Sequence, residues 1–319
     1  QLYNTQTVYS SVPSEQNQIT NGLPLWWAKF QIMQQFSLIT VTLFVTCCSG
    51  LAQEKVFRET INKQLTFTTK SNANTLVLQN VFGPVSIEGY SGNSIQIEVK
   101  KQIEADNQKD LDLGKEELQL KVVELENRFV VHPDAPYIEY NEKGLRFNWC
   151  NNYEEPVYRH KLSFTVKVPK GVNLNIGTVN EGDIYIANTS GNFIKVNNVN
   201  GGIDLKNVEG KTNLHCINGE VNVSYASNPA EDSKYYSLNG DINIVYQNAL
   251  SADVSFKTMN GELFTDFDIA KQFVRTQKEN SEKRKGKFKY QSTPVVQIGS
   301  GGLQLDFETL NGNVFIKKI

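Results

Sequence analysis

Residues 237–244 read SLNGDINI, and nearly the same phrase returns along the second half of the chain. Aligned on glycine, it gives VNEGDIYI (179–186), TSGNFIKV (189–196), VNGGIDL (199–205), VEGKTNL (208–214), INGEVNV (217–223), LNGDINI (238–244), MNGELFT (259–265) and LNGNVFI (310–316). Most units follow one template: an apolar residue, Asn or Glu, Gly, any residue, then apolar, any, apolar. The first five glycines, Gly182, Gly191, Gly201, Gly210 and Gly219, sit 9 to 10 residues apart, and the steps to Gly240 and Gly261 are 21 each. Internal periodicity of this kind signals a repeat architecture before anything else.

Asn-Gly between alternating apolar residues is also the strongest short-range hairpin signal, so a meander of antiparallel hairpins is one reading. A parallel β-solenoid is the other, with one strand and one corner repeated and stacked. Hairpin turns at opposite ends of a sheet have no reason to share one side-chain phase, whereas stacked corners do. The spacing therefore favours the solenoid. Gly182, Gly201, Gly219, Gly240, Gly261 and Gly312 are the expected corner glycines, supplying positive φ. Their Asn neighbours are expected to line up and hydrogen-bond along the stack. The expected inward pairs are Ile184 with Ile186, Ile203 with Leu205, Val221 with Val223 and Ile242 with Ile244.

Upstream, short runs such as TLVLQNV (75–81), VSIEGY (85–90), SIQIEVKK (94–101), LQLKVVEL (118–125), RFVVH (128–132), LRFNW (145–149) and KLSFTVKVP (161–169) read as strands. EADNQKDLDLGKEE (104–117) is a polar, helix-tolerant stretch expected to form a short surface helix weakened by Gly114. The 319 residues thus divide into 1–32, an upstream or disordered segment; 33–52, a signal peptide; 53–170, a strand-rich part of the ladder; and 171–319, the Asn-Gly repeat.

The export reading rests on FSLITVTLFVTCCSG (36–50), an apolar run of h-region length ending in small residues before Gln53. A retained membrane helix is the alternative, but the run falls short of the roughly 20 residues a span requires. Lipidation at Cys47 or Cys48 is a third reading. Removal of the leader would leave Cys150 and Cys216, which either pair in an oxidising compartment or stay buried and reduced. A net charge of −2 and a pI of about 6.0 give no footprint for nucleic acid.

The phrases KKQIEADNQKDLDLGKEELQL, FNW with KLSFTVKVPKGVNLNIGTVNEGDI, VNGGIDL, SFKTMNGELFTDF and LDFETLNGNVFIKK follow in that order between residues 100 and 318, and the likeness they carry extends over about residues 60–319. As a set they resemble the bacterial exported β-strand-repeat proteins of unknown function that carry the generic label adhesin. The resemblance implies an all-β chain with a right-handed parallel β-helix or solenoid-like ladder of short strands. It also implies an exported location, in the periplasm, at the outer membrane surface or outside the cell. It implies no reaction, and a label drawn from a fold is weak warrant for function.

The residues themselves point the same way. There is no G-x-S-x-G and no CxxC pair, and His132, His160 and His215 are scattered, so neither a hydrolase triad, a zinc site nor any cofactor is expected. His160, between Arg159 and Lys161, reads as exposed at a strand start. A lyase or glycosidase on the same scaffold would need two or three acids on one face, for which Asp183, Asp204 and Asp241 are the candidates. Tyr137, Tyr140, Phe147, Trp149, Tyr153 and Tyr158 form an aromatic cluster. Tyr137, Tyr140, Trp149, Tyr153 and Tyr158 are the candidate recognition surface, and capping of the solenoid end is the competing role. RTQKENSEKRKGKFKYQ (275–291) carries seven basic residues against two Glu and reads as a solvated excursion that leaves and re-enters the ladder. The expectation is a non-enzymatic envelope scaffold. Its partner would be an envelope protein or a glycan, and it would carry no membrane span in the mature chain.

Overall fold

The computed structural model describes residues 54–141, 146–149, 155–279 and 289–319, so the expectations placed on 1–52 lie outside the described residues. Two large mixed β-sheets share one apolar core. The first runs in the order β1 (Lys55–Leu65), β4 (Ile95–Ala105), β9 (Arg159–Pro169), β3 (Val85–Tyr90), β11 (Ile184–Ala187), β13 (Ile203–Val208), β15 (Val221–Tyr225), β17 (Ile242–Tyr246), β23 (Val314–Lys318), β19 (Leu263–Thr265). The second runs β20 (Ile269–Glu279), β21 (Lys289–Ile298), β18 (Ala252–Lys257), β22 (Leu303–Asn311), β16 (Ser233–Asn239), β14 (Lys211–Asn218), β12 (Phe193–Asn200), β10 (Asn173–Thr178), β2 (Thr75–Gln79), β6 (Arg128–Asp134), β5 (Gln119–Leu125). β7 (Ile138–Asn141) and β8 (Arg146–Trp149) make a small antiparallel pair.

From β9 and β6 through to β19 and β18, neighbouring strands pair in parallel; antiparallel strands finish both ends of the second sheet and the β1 end of the first. Successive repeats alternate between the sheets, so one rung holds two strands and takes 18 to 21 residues, as Gly182, Gly201, Gly219 and Gly240 mark it. The ten-residue spacing is therefore half a rung: Gly191 and Gly210 belong to the opposite corner. The stacking order also departs from chain order. After Gly261 the chain leaves as the β20–β21 hairpin and returns as β22 and β23, which insert between the β16/β17 rung and the β18/β19 rung. The excursion re-enters one rung before the end.

The inward pairs are as expected, with Ile184, Ile186, Ile203, Leu205, Val221, Val223, Ile242 and Ile244 all buried. The asparagines form a continuous ladder. Asn200 Nδ2 donates to Asn180 Oδ1 (2.7 Å), Asn218 to Asn200 (2.9 Å), Asn239 to Asn218 (2.9 Å), Asn311 to Asn239 (2.8 Å) and Asn260 to Asn311 (2.8 Å).

The glycines need a different explanation from the expected one. Gly201, Gly240 and Gly312 have φ near +153 to +157, but Gly182, Gly219 and Gly261 do not have positive φ. What all six share is close approach. A Cβ on any of them would run into the backbone of the glycine stacked beneath, Gly219 into the Gly201 carbonyl and Gly261 into the Gly312 carbonyl, for example.

Behind this column stands a buried polar one. Thr178, Asn198, Cys216, Ser237 and Thr309 are in register, and four of them satisfy corner carbonyls: Thr178 Oγ1 to Gly83 O (3.0 Å), Asn198 Nδ2 to Gly202 O (2.9 Å), Cys216 Sγ to Gly219 O (3.3 Å) and Ser237 Oγ to Gly219 O (3.0 Å). Cys216 is thus a free, buried thiol, its pKa pushed up to about 11 by burial, and it forms no disulfide; Cys150 lies outside the described residues.

At the other corner a chain of buried hydroxyls runs from Thr212 Oγ1 to Tyr225 OH (2.5 Å), on to Tyr235 OH (2.6 Å), which also accepts from Tyr246 OH (2.8 Å). Burial drives all three phenols far above their ordinary range, so they remain protonated donors.

The helix α1 (Gln108–Glu117) starts where Asn107 caps it, accepting from the Asp110 N–H at 3.0 Å. Gly114 is no weak point here. It is buried, and a Cβ there would stand 2.8–2.9 Å from the Tyr158 ring and the Ile103 side chain, so glycine lets the helix lie against the first strands.

Candidate functional site

Concave surface on the outer face of the second sheet gathers side chains from four consecutive rungs. His215 on β14 and Tyr236 on β16 are register partners, and their rings stack at 4.4 Å with a 9° interplanar angle. The same column continues with Glu308 on β22 and Lys257 on β18, whose Nζ lies 2.7 Å from Glu308 Oε1. Two residues earlier along each strand runs a second column: Asn213, Lys234, Asp306 and Ser255. Ser255 Oγ donates to Asp306 Oδ1 at 2.6 Å, and Arg275 donates to the same oxygen at 3.3 Å.

Arg275 and its cross-strand partner Thr293 belong to the β20–β21 hairpin, which walls one side. Together these residues line a solvent-open trough of about 300 Å³. Lys234 has no ion-pair partner among the described residues. Burial lowers the His215 pKa, favouring the neutral imidazole, which can both donate and accept. The trough thus offers a ring pair, a free ammonium, a neutral histidine and two salt-bridged carboxylates. The Ser255 hydroxyl donates to Asp306, so a Ser–His nucleophile is not assembled.

Residues 163–306 match the Toastrack DUF4097 family. This is a family of unknown function, and the matched segment contains His215, Lys234, Tyr236, Lys257, Arg275 and Asp306, with Glu308 two residues beyond it. Among solved structures, the chain is similar to a candidate cell adhesion protein from Clostridium sporogenes ATCC 15579, at 10% identity and a TM-score of 0.43, covering 82% of this chain and 100% of that one. It is also similar to a candidate lipid binding protein from Parabacteroides distasonis ATCC 8503, at 9% identity and a TM-score of 0.24, covering 82% and 96%. No curated protein matches the chain.

The expected aromatic surface lies outside the matched segment, and two of its rings face inward. Tyr137 and Tyr158 are only 2% and 3% exposed, which corrects their assignment as solvent-facing rings. Tyr158 OH donates to Glu117 Oε2 at 3.0 Å and its ring packs on Gly114, fastening α1 to the first strands. Tyr137 OH hydrogen-bonds His160 Nδ1 at 3.0 Å, and Tyr140 is half-buried, stacked on His132 at 4.2 Å. The Trp149 backbone pairs with Ile138, while its side chain and all of Tyr153 lie outside the described residues.

His160 is likewise corrected. It points into the core beside Lys101 rather than standing exposed, and burial with that neighbouring ammonium lowers its pKa to about 4. The acids do not gather either. Asp183 Oδ1 accepts from the Gly202 N–H and Asp241 Oδ1 from the Asn313 N–H, both at 2.7 Å, each bracing the next rung. Asp204 belongs to another column, opposite Tyr185 and Asn222. Among the described residues no three His, Cys, Asp or Glu gather to hold a metal, and no helix is long and apolar enough to cross a membrane.

Proposed function

We propose that the chain is a non-enzymatic scaffold of the cell envelope, a right-handed β-solenoid that is exported and holds an envelope protein or a glycan in the trough on its second sheet. One observation carries the reading: the stacked His215–Tyr236 pair, flanked by Lys234 and walled by Arg275, forms a concave polar site on the outer face of the second sheet. Rings beside a few convergent polar groups are how sugars and protein side chains are gripped without being transformed. The family match and the parallel register of the central strands support the solenoid; the repeating rung supports a rigid support on which such a site is held at fixed spacing. Weighing against the carbohydrate-active enzyme is the separation of Asp183 and Asp241. They stand three rungs apart in one column, roughly 14 Å at the inter-strand spacing, beyond the range two catalytic carboxylates span.

The test is a glycan array run beside pull-down from an envelope extract, comparing the full chain with Tyr236→Ala and His215→Ala. Both rings are at least partly exposed, so the variants are expected to keep the parent's melting temperature. The expected result is capture by the parent and loss of about tenfold or more in affinity with either variant, the scale of a lost aromatic anchor. Turnover of any glycan, or capture that both variants retain in full, would overturn the reading.

A further inference from the structure

The Asn-Gly phrase carries a chemistry of its own. When Gly follows Asn, the glycine backbone nitrogen is free of side-chain hindrance and can attack the asparagine Cγ. A bond forms between that nitrogen and Cγ, the Cγ–Nδ2 bond breaks, and ammonia leaves with the proton the glycine N–H gives up. The resulting five-membered imide is opened by water at one carbonyl or the other, leaving aspartate or isoaspartate. The described residues hold five such pairs, at 200–201, 218–219, 239–240, 260–261 and 311–312.

Four of the five are clamped from both sides. The nucleophilic N–H of each donates to the next rung: Gly201 to Asn218 O (3.1 Å), Gly219 to Asn239 O, Gly240 to Asn311 O and Gly312 to Asn260 O (each 3.0 Å). Their carboxamides are held twice, each donating to the rung below and accepting from the rung above. Attack there requires breaking the hydrogen bond of the glycine N–H and both hydrogen bonds of the carboxamide, and turning a corner pressed between two neighbours.

Asn260 differs on every count. Because β22 and β23 insert below it, its rung is the last parallel rung of the stack, although 59 residues of chain follow Asn260. The Gly261 N–H and Asn260 Oδ1 have no hydrogen-bond partner among the described residues. The single side-chain bond, Nδ2 to Asn311 Oδ1 at 2.8 Å, involves the atom that leaves. Neighbouring Met259 is 76% exposed, so water reaches the site. Terminal rungs also open at lower cost than interior ones.

We infer that Asn260 is a site of self-modification, converting to aspartate or isoaspartate while residues 200, 218, 239 and 311 remain asparagine. The conversion removes the donor to Asn311 and adds a carboxylate beside Glu262, so it alters the exposed end of the ladder and leaves the interior intact. The experiment is ageing of the full folded chain in mildly alkaline buffer, followed by peptide mapping that separates aspartate from isoaspartate. Residue 260 is expected to convert about tenfold faster or more than the other four, because each of those must break two additional hydrogen bonds. In strong denaturant the five sites are expected to converge. Equal rates in the folded chain, or a lead for 260 that persists in denaturant, would overturn the inference. Asn21, also followed by Gly, falls outside the described residues and is scored in its own peptide.

Discussion

At the scale of single residues, the corner glycines are required by space as much as by backbone angle. Gly219 has ordinary φ, yet a Cβ would strike the Gly201 carbonyl, and carbonyls within a stack have nowhere to move. Gly219→Ala is therefore expected to cost about 1–3 kcal/mol, as overpacking does. Gly171→Ala, where nothing lies within 4 Å, is expected to be neutral or slightly stabilising. Chemical denaturation of the pair checks the contrast, and equal effects would refute it. His160 supplies a second residue-scale prediction. Its folded pKa of about 4 lies below the ordinary 6.5 because burial and then Lys101 disfavour the charged ring. The unfolded chain therefore binds the extra proton first, so stability is full above pH 6.5 and falls as the pH drops from there to about 4. The loss is about 2–3 kcal/mol. Stability measured across that window in His160→Gln, whose offset is constant with pH, is expected to show this component removed. An unchanged slope would contradict it.

At the scale of elements, the stack is held together by a rung borrowed from the C-terminus. Removing β22 and β23 takes out an interior rung and parts β16 from β18 and β17 from β19. Deletion of residues 299–319 is expected to abolish cooperative unfolding of the whole repeat, seen by circular dichroism. A mere loss of signal in proportion to length, as trimming a terminal rung gives, would contradict the interleaved order. The repeat was legible because apolar pairs, Asn and Gly recur in one phase, and that phase places Ile242 and Ile244 inward and Asn239 in its ladder. The interleaving was not legible, since each rung carries the same template and any can stack on any other. What decides the order is the path of the β20–β21 hairpin, which no local pattern encodes. The trough had a faint signal. His215, Tyr236, Lys257 and Glu308 each stand four residues before a corner glycine, so stacking the phrases on glycine brings them into one column. The aromatic cluster gave a stronger but misleading signal, because large rings such as Tyr158 are as apt to bury beneath a helix as to face a ligand.

At the scale of the whole molecule, much of the polar structure, exposed as well as buried, is occupied with holding the rungs in register. The asparagine ladder, the Tyr225–Tyr235–Tyr246 hydroxyl chain and the Asp183 and Asp241 braces all serve neighbouring rungs, and partnered polar networks of this kind specify one arrangement. In the proposed reading recognition falls to the outer face, where the hairpin wall turns a flat ladder into a trough. Hydrogen-exchange mapping of the chain with its captured glycan or envelope protein tests this division most directly. The account predicts added protection along β14, β16 and β22 and along the hairpin flank at Arg275 and Thr293, with the first sheet unchanged. Protection confined to the first sheet, or to the α1 end around Tyr137 and Tyr158, would contradict it.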